Sequence, residues 1–351
     1  MAKKLKVLVL VRDGHVPPED IAGLSDADML PWKAEYDVCE SLRHIGHQVR
    51  PIGVYDDLGP LREALLSWQP DITFMMLEEF HGVSDYDHAI VSYLELMQQP
   101  YTGCNPRGLM LSKDKGLSKK LLTFHRLPTP RFAIFPVGRG SAKPNPASIR
   151  RPSKLQYPLF VKSTLEDASF GISQASIVHD DEQLRSRVAF VHEKTGGDAI
   201  AEEYVDGREL YVGVLGNARL QTFPAWEMSF GTLPDDVARI ATSHVKWNLK
   251  YQKKHDITTH AAMGLDDATL NRISRVCKRV YRALDMSGYA RMDIRMRTDG
   301  EIYVLEANAN PNIEFGEDFA ESAASVGIDY DTLLQRIIRL GLSYRPAWMI
   351  S

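Results

Sequence analysis

The chain has 351 residues, enough for two or three packed lobes rather than one minimal core. Hydrophobic residues make up 44% and charged residues 25%, the usage of an ordinary globular protein. A net charge of −4 with no basic run argues against a nucleic-acid partner, and no apolar stretch reaches the roughly 20 residues that span a bilayer.

Residues 5–11 form an apolar run behind a basic start, which imitates a secretory signal. It breaks at once into Arg12-Asp13-Gly14-His15 with no small-residue cleavage site, so a buried first strand is expected. Residues 35–47 carry Val38, Leu42 and Ile45 at helical spacing. Strands are expected at 49–55 and 71–77, and helices at 61–68 and 86–97. This alternation predicts parallel strands with helices on their faces and ligand groups at the strands' carboxyl ends. A helix over 114–124 stops before Pro128-Thr129-Pro130. Strands are expected over 131–136, 158–162, 172–178 and 199–205, with a surface loop over 138–152 and a helix over 181–196. Strands over 208–215 and 219–227 follow, and residues 228–263, rich in ionisable groups and poor in periodicity, read as a covering loop. In 265–286, Leu270, Ile273, Cys277, Val280 and Leu284 recur at helical spacing behind Asp266 as N-cap. Cys39, Cys104 and Cys277 are widely spaced and odd in number, which predicts reduced thiols in a cytoplasmic setting rather than disulfides or a zinc site.

Residues 291–297 and 301–308 read as a hairpin joined through Asp299-Gly300, a two-residue turn whose residues both need positive φ. Counting back from Thr298 facing Glu301 sets Asp293 opposite Glu306 and Arg291 opposite Asn308 on one face. Facing carboxylates repel. Either the face is solvated and the pair tolerated, or a divalent cation lies between them with Asn308 as a third oxygen donor. Magnesium suits the second reading, since it takes oxygen ligands and leaves room for phosphates.

Lys162 closes an apolar strand before a polar turn running to Gly171, so it is either a solvated strand end or a phosphate ligand. Lys115, in Ser112-Lys113-Asp114-Lys115, carries the same ambiguity. Glu202 and Glu203 are either an exposed pair or acceptors for an adenine amino group, with Glu209 placed for ribose hydroxyls.

In order, these pieces resemble the ATP-grasp superfamily, and within it the D-alanine–D-alanine ligases, over residues 100–340. The resemblance rests on Tyr101-Thr102-Gly103, Asp114-Lys115, Phe160-Val161-Lys162 with the loop to Gly171, and residues 201–209. Lys250-Tyr251 matches a mobile loop, and Arg291-Met292-Asp293 and Leu305-Glu306-Ala307-Asn308-Ala309-Asn310-Pro311 match the arginine and metal strands. It implies a three-lobed α/β ATP-grasp fold: an N-terminal substrate domain over 1–112, a central lid domain over 113–206 and a C-terminal domain over 207–345. ATP is then expected between the last two, with adenine against Glu202, Glu203, Tyr204 and Val205, ribose at Glu209, and phosphates at Lys115, Lys162 and Ser169. Mg²⁺ (or Mn²⁺ in its place) is expected on Asp293, Glu306 and Asn308. The resemblance further implies Arg291 and Lys250 at the reacting atoms and His81, Tyr251, Asn312 and Glu317 around the substrates. The implied activity is ligation of a small-molecule carboxylate to an amine or peptide through an acyl phosphate, by a protein compatible with a homodimer. A kinase or a non-catalytic ATP-binding scaffold would use the same machinery.

The substrate segments depart from that pattern. Val11-Arg12-Asp13-Gly14-His15-Val16 lacks the family's glycine-rich segment and its glutamate, and Val83-Ser84-Asp85-Tyr86-Asp87 replaces an acidic glycine pattern after His81-Gly82. Ala168 stands where the phosphate loop has serine, and Asn312 to Asp318 replace the serines that bind the second alanine's carboxylate. The sequence therefore predicts a substrate pair other than two D-alanines, with D-alanine–D-alanine ligase activity proper as the alternative.

Overall fold

A computed structural model describes residues 4–138, 149–166, 171–234 and 237–349. Three sheets organise them. In the first, β1 (Lys6–Arg12) lies between β2 (Gln48–Val54) and β3 (Ile72–Met75), all parallel. Helices cover both faces of such a sheet, which is why Val7 through Val11 form an unbroken apolar run and are wholly buried. The last helix, Tyr330–Ser343, buries Leu333, Leu334, Ile337 and Ile338 in the core that also takes Val7, Val9, Val38 and Leu42.

The second sheet is antiparallel. It contains β4 (Phe132–Phe135), β5 (Leu159–Ser163), β6 (Ile177–Val178) and β7 (Ala199–Glu203), in the order β4-β7-β5-β6. Helix Asp181–Thr195 packs on it through Leu184, Val188 and Val191; Asp180 caps its start and Gly196, at φ +68°, ends it. The third sheet holds β8 (Arg208–Leu215), β9 (Gln221–Thr222), β10 (Trp226–Ser229), β11 (Thr258–Ala261), β12 (Tyr289–Met296) and β13 (Ile302–Ala309). Their order is β11-β10-β8-β12-β13, with β9 beside β8. Helix Asp267–Ala283 covers the back of this sheet with Ile273, Cys277 and Val280, and Asp266 caps it by accepting from Thr269 N at 2.8 Å.

Several expectations need correction. Residues 228–263 are not one loop: helices Ser243–Trp247 and Leu249–His255 and β11 lie there, with Phe230, Leu233, Val245 and Ile257 in a small core. Elements of four to seven residues are too short for periodicity to announce them. The strand expected over 219–227 is two short ones on either side of Pro224, which has no N–H for the ladder. Of 172–178, only Ile177–Val178 pairs as a strand. A helix over Pro106–Lys113 escaped the sequence reading, and a single residue, Asp114, separates it from Lys115–Phe124. Most of the loop expected over 138–152 lies outside the described residues. The three cysteines are buried and free. Among the described residues, no helix is long and apolar enough to cross a membrane.

The hairpin pairs as expected, for a different reason. Arg297 N donates to Glu301 O at 2.9 Å, so the loop has three residues, and only its Gly300 takes a positive φ, +83°. That loop alone would shift every later pair by one residue. A bulge, with Leu305 as the extra residue, restores the count and leaves Asp293 facing Glu306 and Arg291 facing Asn308.

Candidate active site

Strand alternation gathers the charged groups on one face of the third sheet. Glu209 and Tyr211 on β8 face Arg295 and Asp293 on β12; Asp293 in turn faces Glu306, and Arg291 faces Asn308. The second sheet presents Phe160, Lys162 and Glu202 on a face of its own, since Phe160 pairs with Glu202 and Lys162 lies two residues on. Between the sheets is a cleft of about 640 Å³. Pro130, Phe160, Lys162, Glu202 and Glu203 line one side, Tyr204 and Val205 the connection, and Glu209, Asp293, Arg295, Leu305 and Glu306 the other. Ile240, Ala241 and Lys246 reach in from the segment over the top. A second recess, about 360 Å³, continues past Glu306, which lines both, to Asn308, Lys115 and the ion pair of Lys113 with Asp87 (3.2 Å).

Two lysines converge on Glu306. Lys162 Nζ is 3.8 Å and Lys115 Nζ 4.0 Å from its Oε2. Lys115 stands at the start of its helix because Asp114 accepts from Leu117 N, and its own N–H donates to Thr164 O just beyond β5. Burial alone would raise the Glu306 carboxyl, but Lys115, Lys162, Lys246 and Arg291 outweigh it and hold the group at about 2. Asp293 behaves oppositely: burial keeps its carboxyl above the ordinary range despite a bidentate pair with Arg291 (Nε–Oδ1 2.7 Å, Nη2–Oδ2 2.9 Å). The Arg291 guanidinium also stacks 4.7 Å from the Tyr211 ring centroid.

The residues fit a divalent cation by their chemistry. Asp293, Glu306 and Asn308 are oxygen donors of the kind magnesium takes. Among the described residues no three His, Cys, Asp or Glu side chains cluster as a metal site, so the third donor here is an amide. Asn308 Nδ2 is buried without a partner. An amide turned the other way would offer its oxygen at that point.

Not every expected residue comes together. Glu202 and Glu209 line the cleft, yet their carboxylates are already engaged: Glu202 by Lys119 (3.0 Å) and Lys162 (3.3 Å), Glu209 by Arg295 (2.5 Å) and Tyr211 Oη (2.9 Å). Glu203 accepts from Gln156 N at 2.9 Å. Lys250, expected at the reacting atoms, is exposed and lines neither cavity; Tyr251 lines neither as well, half-buried against the small core of Phe230 and Val245 with its ring against His255. The lysine that reaches in is Lys246. The chain contains two Lys-aromatic pairs four residues apart, and sequence alone does not choose between them. His81 stacks on Tyr55 at the surface, while Asn312 and Glu317 are exposed and line neither cavity. Ser169 lies outside the described residues. Lys119 and Arg295 were missed although the signals existed: Lys119 is one turn beyond Lys115, and Arg295 follows Arg291 and Asp293 at strand alternation.

Comparison with known proteins supplies a second line of observation. The family described as D-ala D-ala ligase C-terminus matches residues 121–339. The chain is 30% identical to the uncharacterized protein y4sG of Sinorhizobium fredii, over 76% of this chain and 73% of that one. It is also 30% identical to a D-alanine–D-alanine ligase of Desulfotalea psychrophila, over 78% of each. Its fold is similar to the crystal structure of D-alanine–D-alanine ligase from Bacillus anthracis complexed with ATP, with a TM-score of 0.71 and 22% identity over 97% of this chain and 98% of that one. The ligase from Coxiella burnetii is similar at a TM-score of 0.68 and 17% identity, over 97% and 94%.

Proposed function

This chain belongs to the D-alanine–D-alanine ligase family of ATP-grasp proteins, ATP-dependent C–N ligases and their close relatives, and on that premise we propose an ADP-forming carboxylate–amine ligase whose substrates are not two D-alanines. The observation that carries the reading is the meeting of Lys115 and Lys162 on Glu306, beside Asp293 and Asn308. Cations around facing carboxylates form a polyphosphate site, and phosphoryl transfer is mostly positioning and charge neutralisation.

In this reading the lobes divide near residues 112 and 206, and the nucleotide lies in the larger cleft. Its base rests against Tyr204 and Val205, and its terminal phosphate reaches Lys115 and Lys162, whose ammoniums hold the oxygens by charge-assisted bonds. Asp293, Glu306 and Asn308 would hold Mg²⁺, which neutralises charge on the transferring group when bound. A substrate carboxylate oxygen attacks the γ-phosphorus as the bond to ADP breaks. The amine nitrogen then attacks the carbonyl carbon, phosphate leaves, and the nitrogen loses a proton. Arg291, bound to Asp293, would stabilise the oxyanion of that second step, and Lys246, which lines the cleft, would close over the phosphates.

Support for a different substrate pair comes from residues 314–318. Glu314 pairs with Lys33 at 3.0 Å, and Asp318 keeps a buried Oδ1 without a partner close enough to influence Arg291. A second alanine would bring its carboxylate to that acidic rim. The test measures ADP release for amino acids, polyamines and short peptides offered singly and in pairs with ATP and Mg²⁺. ADP that requires both a carboxylate and an amine supports a ligase. ADP with one acceptor alone supports a kinase, ATP binding without turnover supports a scaffold, and D-alanine alone as the best substrate refutes the altered specificity.

A further inference from the structure

Lys119 is the most deeply buried charged side chain near the cleft, at 1% exposure, and it touches neither cavity. Its Nζ lies 3.0 Å from Glu202 Oε2 and donates to Thr129 Oγ1 at 3.0 Å; Thr129 Oγ1 in turn donates to Val304 O at 3.1 Å. Glu202, 3% exposed, therefore stands between two ammoniums, with Lys162 on its other side. The two contacts differ in kind. Glu202 Oε1 forms an ion pair with Lys162 Nζ at 3.3 Å without a hydrogen bond, a looser contact than that of Lys119 at 3.0 Å. Burial lowers the pKa of Lys119, and the Glu202 charge works against that shift.

A buried ammonium that faces no ligand needs a reason, because taking it out of water is unfavourable unless it is paired well. The plain reason is that it neutralises Glu202. Without it, Glu202 would have Lys162 as its only counter-ion, and attraction in a poorly solvated site would draw that ammonium off the cleft. We propose that Lys119 is a positioning residue that occupies the Glu202 carboxylate and so keeps the Lys162 ammonium available, at the Glu306 end of the cleft, for a nucleotide phosphate. The inference rests on the nucleotide reading of the cleft given above. It also assigns Glu202 a task besides any contact with adenine: its carboxylate links a buried cation to an active one.

The test is a charge-rescue cycle read by calorimetric titration of ATP in the presence of Mg²⁺, with circular dichroism as the check on folding. Lys119→Met removes the buried charge and keeps a similar linear bulk, and should weaken ATP binding by about ten- to a hundredfold, the scale of one charge-assisted contact. In a Glu202→Gln background, where no carboxylate remains to recapture Lys162, the same Lys119→Met change should alter ATP affinity by less than about threefold relative to Glu202→Gln alone. A merely structural lysine predicts that Lys119→Met costs as much affinity in the Glu202→Gln background as in wild type. Unchanged affinity in Lys119→Met, or an equal loss from Lys119→Met in both backgrounds, overturns the proposal. If Lys119→Met does not fold, the double variant is compared with Glu202→Gln alone, since neither buries an uncompensated carboxylate: affinities within about threefold of each other support the proposal, and a further loss of about tenfold in the double variant overturns it. A wild-type protein that does not bind ATP refutes the nucleotide reading itself and removes the basis of this inference.

Discussion

Glu306→Gln separates the electrostatics of the cleft from its shape. The Glu306 side chain is 23% exposed and has Lys162 and Lys115 within 4.0 Å. Burial would raise its pKa, yet the surrounding cations hold it at about 2 against an ordinary 4.5. At about 1.4 kcal/mol per pKa unit, folding favours the charged form by roughly 3 kcal/mol, a ceiling because water still reaches part of the group. Its folded value lies below the unfolded one, so this stabilisation is complete above about pH 4.5 and disappears as pH falls through about 2. Urea unfolding should therefore find the variant about 1–3 kcal/mol less stable than wild type at pH 7, with the gap reduced to less than half near pH 3. The same substitution should abolish ADP release while leaving the circular dichroism spectrum intact. A gap that does not change with pH would refute the account of Lys115 and Lys162 as counter-ions. Turnover retained at saturating Mg²⁺ would refute the assignment of the facing carboxylates to a metal.

Lys162→Ala should lower ATP affinity by about ten- to a hundredfold in a calorimetric titration, the worth of one charge-assisted contact; an unchanged value returns it to the role of a strand end. Lys246→Ala should reduce the rate of ADP release at least tenfold and Lys250→Ala less than threefold, and the reverse order would restore the lysine that sequence resemblance favoured. Acceptors that differ only in charge should rank with cationic amines first, and Asp318→Asn should narrow that preference. A preference for acidic or neutral acceptors that the substitution leaves unaltered would dispose of the acidic rim as a specificity device.

Legibility from sequence followed the length of the signal. The parallel first sheet was readable because β1 is buried on both faces and so is apolar at every position from Val7 to Val11. Helix Asp267–Ala283 was readable because it covers four turns with one apolar stripe and a capping aspartate. Residues 228–263 were not, because their order comes from a few side chains such as Val245 and Ile257 meeting across short elements rather than from a repeat. The hairpin shows a third case. Its carboxylate pairing was read from a two-residue turn that does not exist, and the three-residue loop and the bulge at Leu305 offset each other. Neither device leaves a mark in the alternation that sequence can count.

The site was readable where residues lie near one another in the chain and obscure where the fold brings distant ones together. Asp293, Glu306 and Asn308 are tied by one hairpin, but the counter-ions come from a helix start, from β5 and from the covering segment. Over the whole cleft the charges nearly balance, since Glu203 and Glu209 line it as well as Glu202, Asp293 and Glu306, but Lys115, Lys162, Lys246 and Arg291 gather around Glu306 at one end. Cations gathered at one end repel one another while the cleft is empty and favour a state that holds a polyanion there, since what binds the folded state alone stabilises it. On the proposed nucleotide reading, the arrangement that joins the second sheet to the third would also select a polyphosphate. For that reason Lys119, which meets no ligand, belongs to the account of the site as much as Lys162 does.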